Sequence, residues 1–525
     1  MLLPGGIENF EGMEWYLYFI IPFAGGLALA IFMSLVNPDS RQTGVIHVLE
    51  RLARHQGHLP ARNLVTQFFA GTIALASGQS GGREGPAIHL GAAGSSLLGQ
   101  TLSLPNNSIR ILVGCGAAAA ISASFDTPIA GVIFSMEVII MEYTIAGFIP
   151  VILAAVVAAL ILRLFYGSAP AFDVPQVAME SFQDLPVVLI EGILIGAIAA
   201  AFVKTIKFLI QYAPSQAGLR MIIAGTVTGI IGLAVPQILG IGYDTVNSAL
   251  IGELSVYILL AVCIFKLLAT ATSVAMGMPI GLIGPTLIIG GTAGGLIWVT
   301  ASLFISEMSP PAFYVMLGMG AMMGAVLQAP LAAMMAVMEL THNPNIILPA
   351  MLVIIISNIT ASKVFGVKSV FITHMELLGL EFRQNPMSMT LNRASVASIM
   401  ARSFERVPSP VSLERAEALK DSHPHWLLVD IKKSPSFILR TEDLVNFLEN
   451  RIIDEDSVQE IDLTEIPATR KDVTSILLQA TLSEALETLK ESGVQALYVN
   501  RISAPMMDSP VGIITREDIE SYYQS

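Results

Sequence analysis

The sequence predicts an α-helical, polytopic membrane protein with an internal (inverted) repeat and broken helices, carrying a C-terminal α/β domain pair. Three observations predict it. Of 525 residues, 54% are apolar and only 13% are charged. The charges are unevenly spread: residues 1–390 hold 14 Lys/Arg and 19 Asp/Glu, whereas the much shorter 391–525 holds 14 and 22. Two segments of the apolar part also recur in its second half. The expected domains are therefore 1–385, in the membrane, and 386–525, an acidic soluble pair at about 391–455 and 465–525.

Such a composition excludes a disordered chain and a typical soluble enzyme. A net charge of −13, a pI near 5.1 and no basic cluster leave no surface for nucleic acid, which is not expected as a partner. Cys115 and Cys263 lie isolated in apolar runs, too few for a disulfide framework or metal knuckle, and read as small buried hydrophobes.

The first apolar stretch, Tyr16 to Leu35, is long enough to span a bilayer. No charged n-region with a cleavable small-residue site precedes it, so it reads as a membrane helix and not a signal peptide. Further apolar segments lie near Leu64 to Ser77, Ile109 to Ile121, Ile129 to Met141, Phe148 to Phe165, Leu185 to Ala200 and Met221 to Ile238. The second half adds Ser255 to Val274, Leu287 to Phe304, Phe313 to Val326, Leu331 to Met338 and Ile346 to Ile359. Many fall short of the ~20 residues that cross a bilayer, and Gly or Pro divides them. Short helices at membrane depth are tolerated only where they line a cavity or are buried in protein, which points to a transport pathway inside a bundle. Arg41, Arg51, Arg54 and Arg62 crowd the segment after the first helix against only Asp39 and Glu50. That bias places this loop in the cytoplasm, with the charged C-terminal region on the same side, in a multi-pass protein of the cell (inner) membrane.

The repeat strengthens this reading. Gly114 to Val138 (GCGAAAAISASFDTPIAGVIFSMEV) resembles Leu317 to Thr341 (LGMGAMMGAVLQAPLAAMMAVMELT), with Pro128 and Glu137 recurring as Pro330 and Glu339 at an offset of 202. GREGPAIHLGAAG at Gly82 to Gly94 recurs as GLIGPTLIIGGTAG at Gly281 to Gly294, at an offset of 199. Two halves, each with a Gly-Pro helix start, suit transporters whose half-helix ends meet near the midplane.

Within Gly81-Gly82-Arg83-Glu84-Gly85-Pro86 a charged pair opens an apolar helix. An ionisable residue at membrane depth costs at least ~2.5–3.5 kcal/mol and marks a functional position. The glycines let backbone N–H groups approach a ligand, Pro86 falls in a first turn, and the helix start favours an anion. One terminus contributes only about 0.3–2 kcal/mol, so several must converge to offset an anion's dehydration. Thr43-Gly44-Val45 heads one further helix, and Gly277-Met278-Pro279-Ile280-Gly281-Leu282-Ile283-Gly284-Pro285 heads another. Neither carries a basic side chain, which would hold an anion too firmly to release it. Deprotonated, Glu84 would occupy the anion's own position; protonated, it would leave and open the path. The structural alternative is a glycine-rich turn with a buried Arg83–carboxylate pair.

These residues resemble the CLC family of chloride channels and chloride/proton exchangers. GREGP at Gly82 to Pro86 looks like that family's gating-glutamate motif, GMPIGLIGP resembles its second pore signature, usually GxFxP, and QTGVI at Gln42 to Ile46 is a degenerate match to GSGIP. The similarity covers roughly residues 16 to 380 and continues into a tail like the paired CBS domains of some members. It implies Glu84 as the gate and a pore position for Phe371, where the family usually places a tyrosine. It implies anion-binding groups at Thr43, Gly44 and Val45, at Gly82, Arg83 and Gly85, and at Leu282 and Ile283. It also implies a homodimer with one pore per subunit, embedded in lipid and moving chloride or another small anion, with protons as a second cargo in the exchangers.

Departures from the family pattern carry their own expectations. Thr43 replaces a pore serine and adds a methyl group, and Phe371 lacks the phenol that would donate to an inner anion, so central binding should be weaker or altered. In Met136-Glu137-Val138, Val138 stands where exchangers carry an internal proton acceptor. Glu142, at i+4 from Val138 on the same helical face, is a candidate substitute, against a plain capping carboxylate. Glu137 is a second proton-pathway candidate, although its equivalence with Glu339 favours a shared structural role. Family members have one or more helices ahead of the segment at Tyr16, so the fifteen preceding residues suggest an ancestral loss or an internal start.

Other features read as ordinary. His89 and His374 lack partners at metal-ligand spacing and are expected in core or interface packing, so no metal site is expected. No HExxH, GxSxG or nucleotide P-loop occurs, and Met319, Met322, Met323, Met334 and Met335 read as packing adaptors. In the tail, Ala394 to Asn450 predicts helix, strand (Trp426 to Val429), strand (Phe437 to Leu439) and helix. Asp472 to Tyr523 repeats this with Leu482 to Ser492, Ala496 to Val499, Val511 to Ile514 and Glu517 to Tyr522. Gly512 to Asp518 resembles the CBS signature, in which Thr515 and Asp518 would contact an adenine nucleotide. Phe437 and Arg440 replace Gly512 and Thr515 in the first copy, which favours a dimer-stabilising module over a nucleotide site, and no cofactor is required.

The expected function is chloride-selective anion transport through a glutamate-gated pore. Val138 and Phe371 favour a voltage- or pH-gated channel over the alternative, a chloride/proton antiporter. Two rivals from other classes are a CBS-containing divalent-cation channel, which needs carboxylates along its path, and a membrane-embedded enzyme with Glu84 as general base. No second catalytic group stands at a suitable spacing, so no enzymatic activity is expected.

Overall fold

Glycine or proline stands at several helix ends in the apolar part of the chain, as at Pro128, Gly167, Pro311 and Pro330. The computed structural model describes residue 10 and residues 12–167, 177–305, 307–380, 386–432, 434–450, 460–502 and 508–524. It divides into two compact units, Met1–Thr101 with Ile109–Phe382, and Leu102–Ser108 with Arg383–Ser525. The expected boundary after residue 385 falls at 381–385, and the end of the first expected tail copy at 451–455; both lie outside the described residues.

In the first unit, α1 (Leu17–Leu35), α2 (Gly44–Arg54), α3 (Ala61–Ala76) and α4 (Glu84–Thr101) come first. Next are α5 (Asn106–Phe125), α6 (Pro128–Phe134), prolonged by a π-helical turn over Ser135–Ile140, and α7 (Ile145–Tyr166). A long α8 (Asp184–Gln211) precedes α9 (Ala217–Ala234), α10 (Tyr243–Leu250), α11 (Val256–Ala275) and α12 (Ile283–Ala301). Then follow α13 (Pro311–Leu327), α14 (Pro330–Thr341), α15 (Ile347–Ile359) and α16 (Val370–Leu377). Among the described residues, α1, α5, α7, α8, α9, α11, α12 and Pro344–Val364 are long and apolar enough to cross a membrane. α2, α6, α10, α14 and α16 are too short to cross, as expected of broken helices that surround a pathway.

The repeat is visible in the packing, with α1–α7 recurring in order as α9–α15. A Cβ on Gly91 would come within 2.2 Å of the Gly116 carbonyl oxygen, and one on Gly290 within 2.2 Å of the Gly318 carbonyl oxygen. The first pair joins α4 to α5 and the second joins α12 to α13, at the 199 and 202 offsets already read in the sequence. Gly26 and Gly225, 199 apart, meet across the α1–α9 crossing, where a Cβ on Gly225 would lie 3.0 Å from Gly26 Cα. Small residues at these places let the helix backbones touch.

Three sequence expectations change. The segment read as Leu185 to Ala200 continues to Gln211 as a 28-residue helix, because Lys204 and Lys207 interrupt the apolar composition without breaking the helix. The segment read as Met221 to Ile238 stops at Ala234, and Pro236 starts a separate 3-10 turn. Glu142 is not on the helical face of Val138: the helix ends at Ile140, and Met141 turns into the left-handed region at φ 57°.

In the second unit, β1 (Phe404–Pro408), β2 (Val411–Ser412), α18 (Leu413–Ser422), β3 (Trp426–Ile431), β4 (Ser434–Arg440) and α19 (Thr441–Asn450) follow a short α17 (Pro386–Asn392). β5 (Glu460–Ile461) pairs back onto β2 of the first copy, and the second copy comprises β6 (Lys471–Leu477), α20 (Leu482–Ser492), β7 (Ala496–Ile502), β8 (Asp508–Thr515) and α21 (Arg516–Gln524). One six-stranded sheet runs β1-β3-β4-β6-β7-β8, with β1–β3 and β6–β7 parallel. Thus β1-α18-β3-β4-α19 matches β6-α20-β7-β8-α21. All four expected strands and helix pairs are present, while the leading strands β1 and β6 lacked an apolar run that would reveal them. Leu427, Val429, Leu439 and Leu444 centre the first copy's core; Leu497, Val499, Ile514 and Ile519 centre the second's.

Candidate functional site

Three helix starts that lie far apart in the chain meet at one cavity. α2, α4 and α12 begin around a space of ≈ 230 Å³ lined by Thr43, Gly44, Val45, Gly85, Leu282, Ile283 and Phe371. The sequence singled out all seven. Gly82 and Gly281 form an antiparallel bridge, with the Gly82 N–H donating to the Gly281 carbonyl at 2.9 Å and the reverse bond at 2.6 Å. Glycine is required here: a Cβ on Gly281 would lie 2.5 Å from the Gly85 nitrogen. Converging N-termini add their partial positive charges and favour an anion at the cavity, whose lining also includes Arg41 and Glu50.

Glu84 is fully buried as the first residue of α4. Its Oε2 accepts from the Gly284 N–H at the start of α12, and its Oε1 from the Tyr243 hydroxyl, each at 3.4 Å. The carboxylate therefore occupies the place an anion would take at the α12 N-terminus. Arg83 does not pair with it. This exposed guanidinium donates to the Ser124 carbonyl at 2.8 Å and lies 5.9 Å from the Tyr243 ring centroid, which rules out the buried Arg–carboxylate alternative.

The Gly44 amide has a partner that the sequence reading missed. Gly44, at φ +74°, turns its N–H to Gln67 Oε1 on α3 at 2.7 Å, so in this conformation that amide faces a side chain and not the cavity. The offset of 23 residues between two helices gave no sequence signal. Lys266 on α11 is also fully buried and donates to the Ile238 and Gly240 carbonyls at 2.9 and 2.7 Å.

His89 also gains a partner. His47 Nδ1 and His89 Nε2 are 2.8 Å apart with both side chains buried, and His374 lines the same cavity as His47. Of the two histidines expected in packing, His374 lines the cavity and His89 is buried behind His47. Glu137 accepts from the Leu331 and Ala332 amides at 3.4 and 2.8 Å, while Glu339 accepts from Ile129 and Ala130 at 3.0 and 2.7 Å. Every donor and acceptor in one set stands 202 residues from its counterpart, so α6 and α14 cap each other's first turns. This reciprocity is what a pseudo-two-fold relation requires. In the tail, Asp518 Oδ2 accepts from the Thr515 amide and hydroxyl at 2.8 and 2.7 Å, which starts α21.

Repeated halves that aim helix starts into a shared cavity, with a carboxylate at the meeting point, define a membrane transport protein. The family model described as voltage gated chloride channel matches residues 25–362, and the chain belongs to this CLC family of anion transport proteins. A ClcB-like protein of Ralstonia nicotianae is 29% identical over 365 residues, 68% of this chain and 85% of that protein. The H(+)/Cl(-) exchange transporter ClcA of Salmonella paratyphi A is 26% identical over 346 residues, 64% of this chain and 73% of that protein. The crystal structure of a slow cyanobacterial Cl-/H+ antiporter matches with a TM-score of 0.63 and 23% identity over 70% of this chain and 88% of that one, a likeness of fold.

Proposed function

We propose that this chain exchanges chloride for protons, with Glu84 both closing the anion path and carrying the proton. The buried position of its carboxylate at the α12 start, beside a cavity walled by helix N-termini, carries this reading. A carboxylate in an anion's place competes with the anion, and protonation removes the competitor, which ties the two movements together. Similarity to ClcA exchangers supports coupling over the passive channel that Val138 and Phe371 favoured on sequence grounds. Val138 removes an inner acceptor but leaves Glu84 in place.

The proposal includes a homodimer with one pathway per subunit, in the cell membrane, with Arg41, Arg51, Arg54 and Arg62 on the cytoplasmic side together with the tail. The mutual bonding of Thr515 and Asp518 supports a dimer-stabilising tail over adenine nucleotide binding. No enzymatic reaction, metal or cofactor forms part of this reading. The test is chloride efflux from proteoliposomes with external pH recorded in the same sample. The intact chain is expected to take up protons as chloride leaves. Glu84→Gln is expected to keep chloride flux while losing both proton movement and the response to external pH. Chloride efflux without protons in the intact chain would restore the channel reading, and magnesium uptake in place of chloride would favour the cation-channel rival.

A further inference from the structure

Glu50 is the carboxylate among the residues that line the cavity, and a histidine of α2 and one of α4 meet beside it. His47, four residues past Thr43 on α2, lines it, and His89, five residues past Glu84 on α4, is fully buried. Their rings stack with centroids 5.1 Å apart at 26°, and one nitrogen of each meets the other at 2.8 Å. That N···N distance holds one proton between two imidazoles, one as donor and the other as acceptor. His89 Nδ1, the nitrogen away from His47, is buried and makes no hydrogen bond. An apolar side chain would fill that position without an unsatisfied polar atom, so packing alone does not account for the pair. Five residues of helix correspond to a rise of about 7.5 Å along α4 between Glu84 and His89.

We propose that His47 and His89 form the inner proton relay of this chain, an inference that rests on the exchange reading. A proton from cavity water adds to Nε2 of His47. The Nδ1 proton of His47 passes to Nε2 of His89, and His89 releases its Nδ1 proton toward the Glu84 carboxylate. One proton enters and one leaves, no other bond changes, and once the rings rotate apart each loses its Nε2 proton to water and gains one from water on Nδ1, which restores the starting tautomers. Burial first, then Arg51 on α2 and His55 just past its end, oppose a cationic pair, as do Arg41 at the cavity, His374 on α16 and Arg110 on α5. Glu50 and Glu84 favour one, and Glu137 in the turn packed on α2 is engaged by α14 amides. The balance makes the protonated pair transient, as a relay requires.

The test uses the full chain in proteoliposomes, recording chloride efflux and proton uptake together for the unsubstituted chain, His47→Gln and His89→Gln. Glutamine keeps a hydrogen-bonding side chain but does not accept and release a proton. Each variant is expected to move chloride above the protein-free background while its proton uptake per chloride falls at least tenfold. An unchanged ratio in either variant overturns the relay. Chloride flux certifies the fold of each variant, and its loss in both contradicts a role confined to protons. If the unsubstituted chain moves chloride without protons, the exchange reading itself fails before any histidine is changed.

Discussion

Replacing Glu339 by alanine removes both acceptors from the first turn of α6. Its carboxylate receives bonds of 3.0 and 2.7 Å, whereas Glu137 receives one of 2.8 Å and a weaker one of 3.4 Å. A hydrogen bond to a charged acceptor nets about 1.5–3 kcal/mol, and both side chains are partly exposed, which argues for the low end. On that basis Glu339→Ala should cost about 3 kcal/mol and Glu137→Ala about 1.5–2 kcal/mol. Glutamine at either site keeps one acceptor oxygen and should fall between alanine and the original. Thermal unfolding in detergent, followed by intrinsic fluorescence, should rank Tm as unsubstituted, then Glu137→Ala, then Glu339→Ala. The two carboxylates cap different helices, so the double variant should lose nearly the sum. An unchanged Tm for Glu339→Ala would refute reciprocal capping. Loss of proton movement in Glu137→Gln with Tm intact would instead place Glu137 on the proton path.

A Cβ on Gly82 would lie 1.8 Å from Glu84 Oε2, the mobile end of a side chain, so Gly82→Ala should dislodge the carboxylate. Chloride flux should rise and respond less to external pH, and flux measurements with an unaltered pH response would contradict the placement. In the tail, Asp462 is held below the usual carboxylate range first by the Thr464 amide, then by the Thr464 and Ser409 hydroxyls. A depressed folded-state value contributes stability above the unfolded value of about 3.9, lost as pH falls through the folded value. Asp462→Asn in the full chain should therefore lower the Tm of the tail transition at pH 7 and converge with the unsubstituted chain in acid; a constant difference would contradict this.

Much of the site was legible because its chemistry is local in sequence. Gly-Pro helix starts announce Glu84 and the α12 start, and identical offsets of Pro128 with Pro330 and Glu137 with Glu339 announce the repeat. What escaped notice depends on contacts between distant segments. His47 and His89 are 42 residues apart with no ligand spacing, and Gln67 finds Gly44 only after α3 folds back on α2. α10 was missed because Tyr-Asp-Thr-Val-Asn-Ser-Ala-Leu is short and mixed in polarity. Glu142 was misplaced because nothing in Ile140-Met141 signals a left-handed residue, since glycine or asparagine usually marks such a stop.

The central claim is that one carboxylate, Glu84, couples chloride to protons. Vesicles with equal chloride on both sides and a pH gradient as the sole driving force test it most directly. The account predicts net chloride movement against its own developing gradient, driven by protons and abolished by Glu84→Gln. Chloride that stays at equilibrium under the pH gradient, while flowing freely down a chloride gradient, would contradict it.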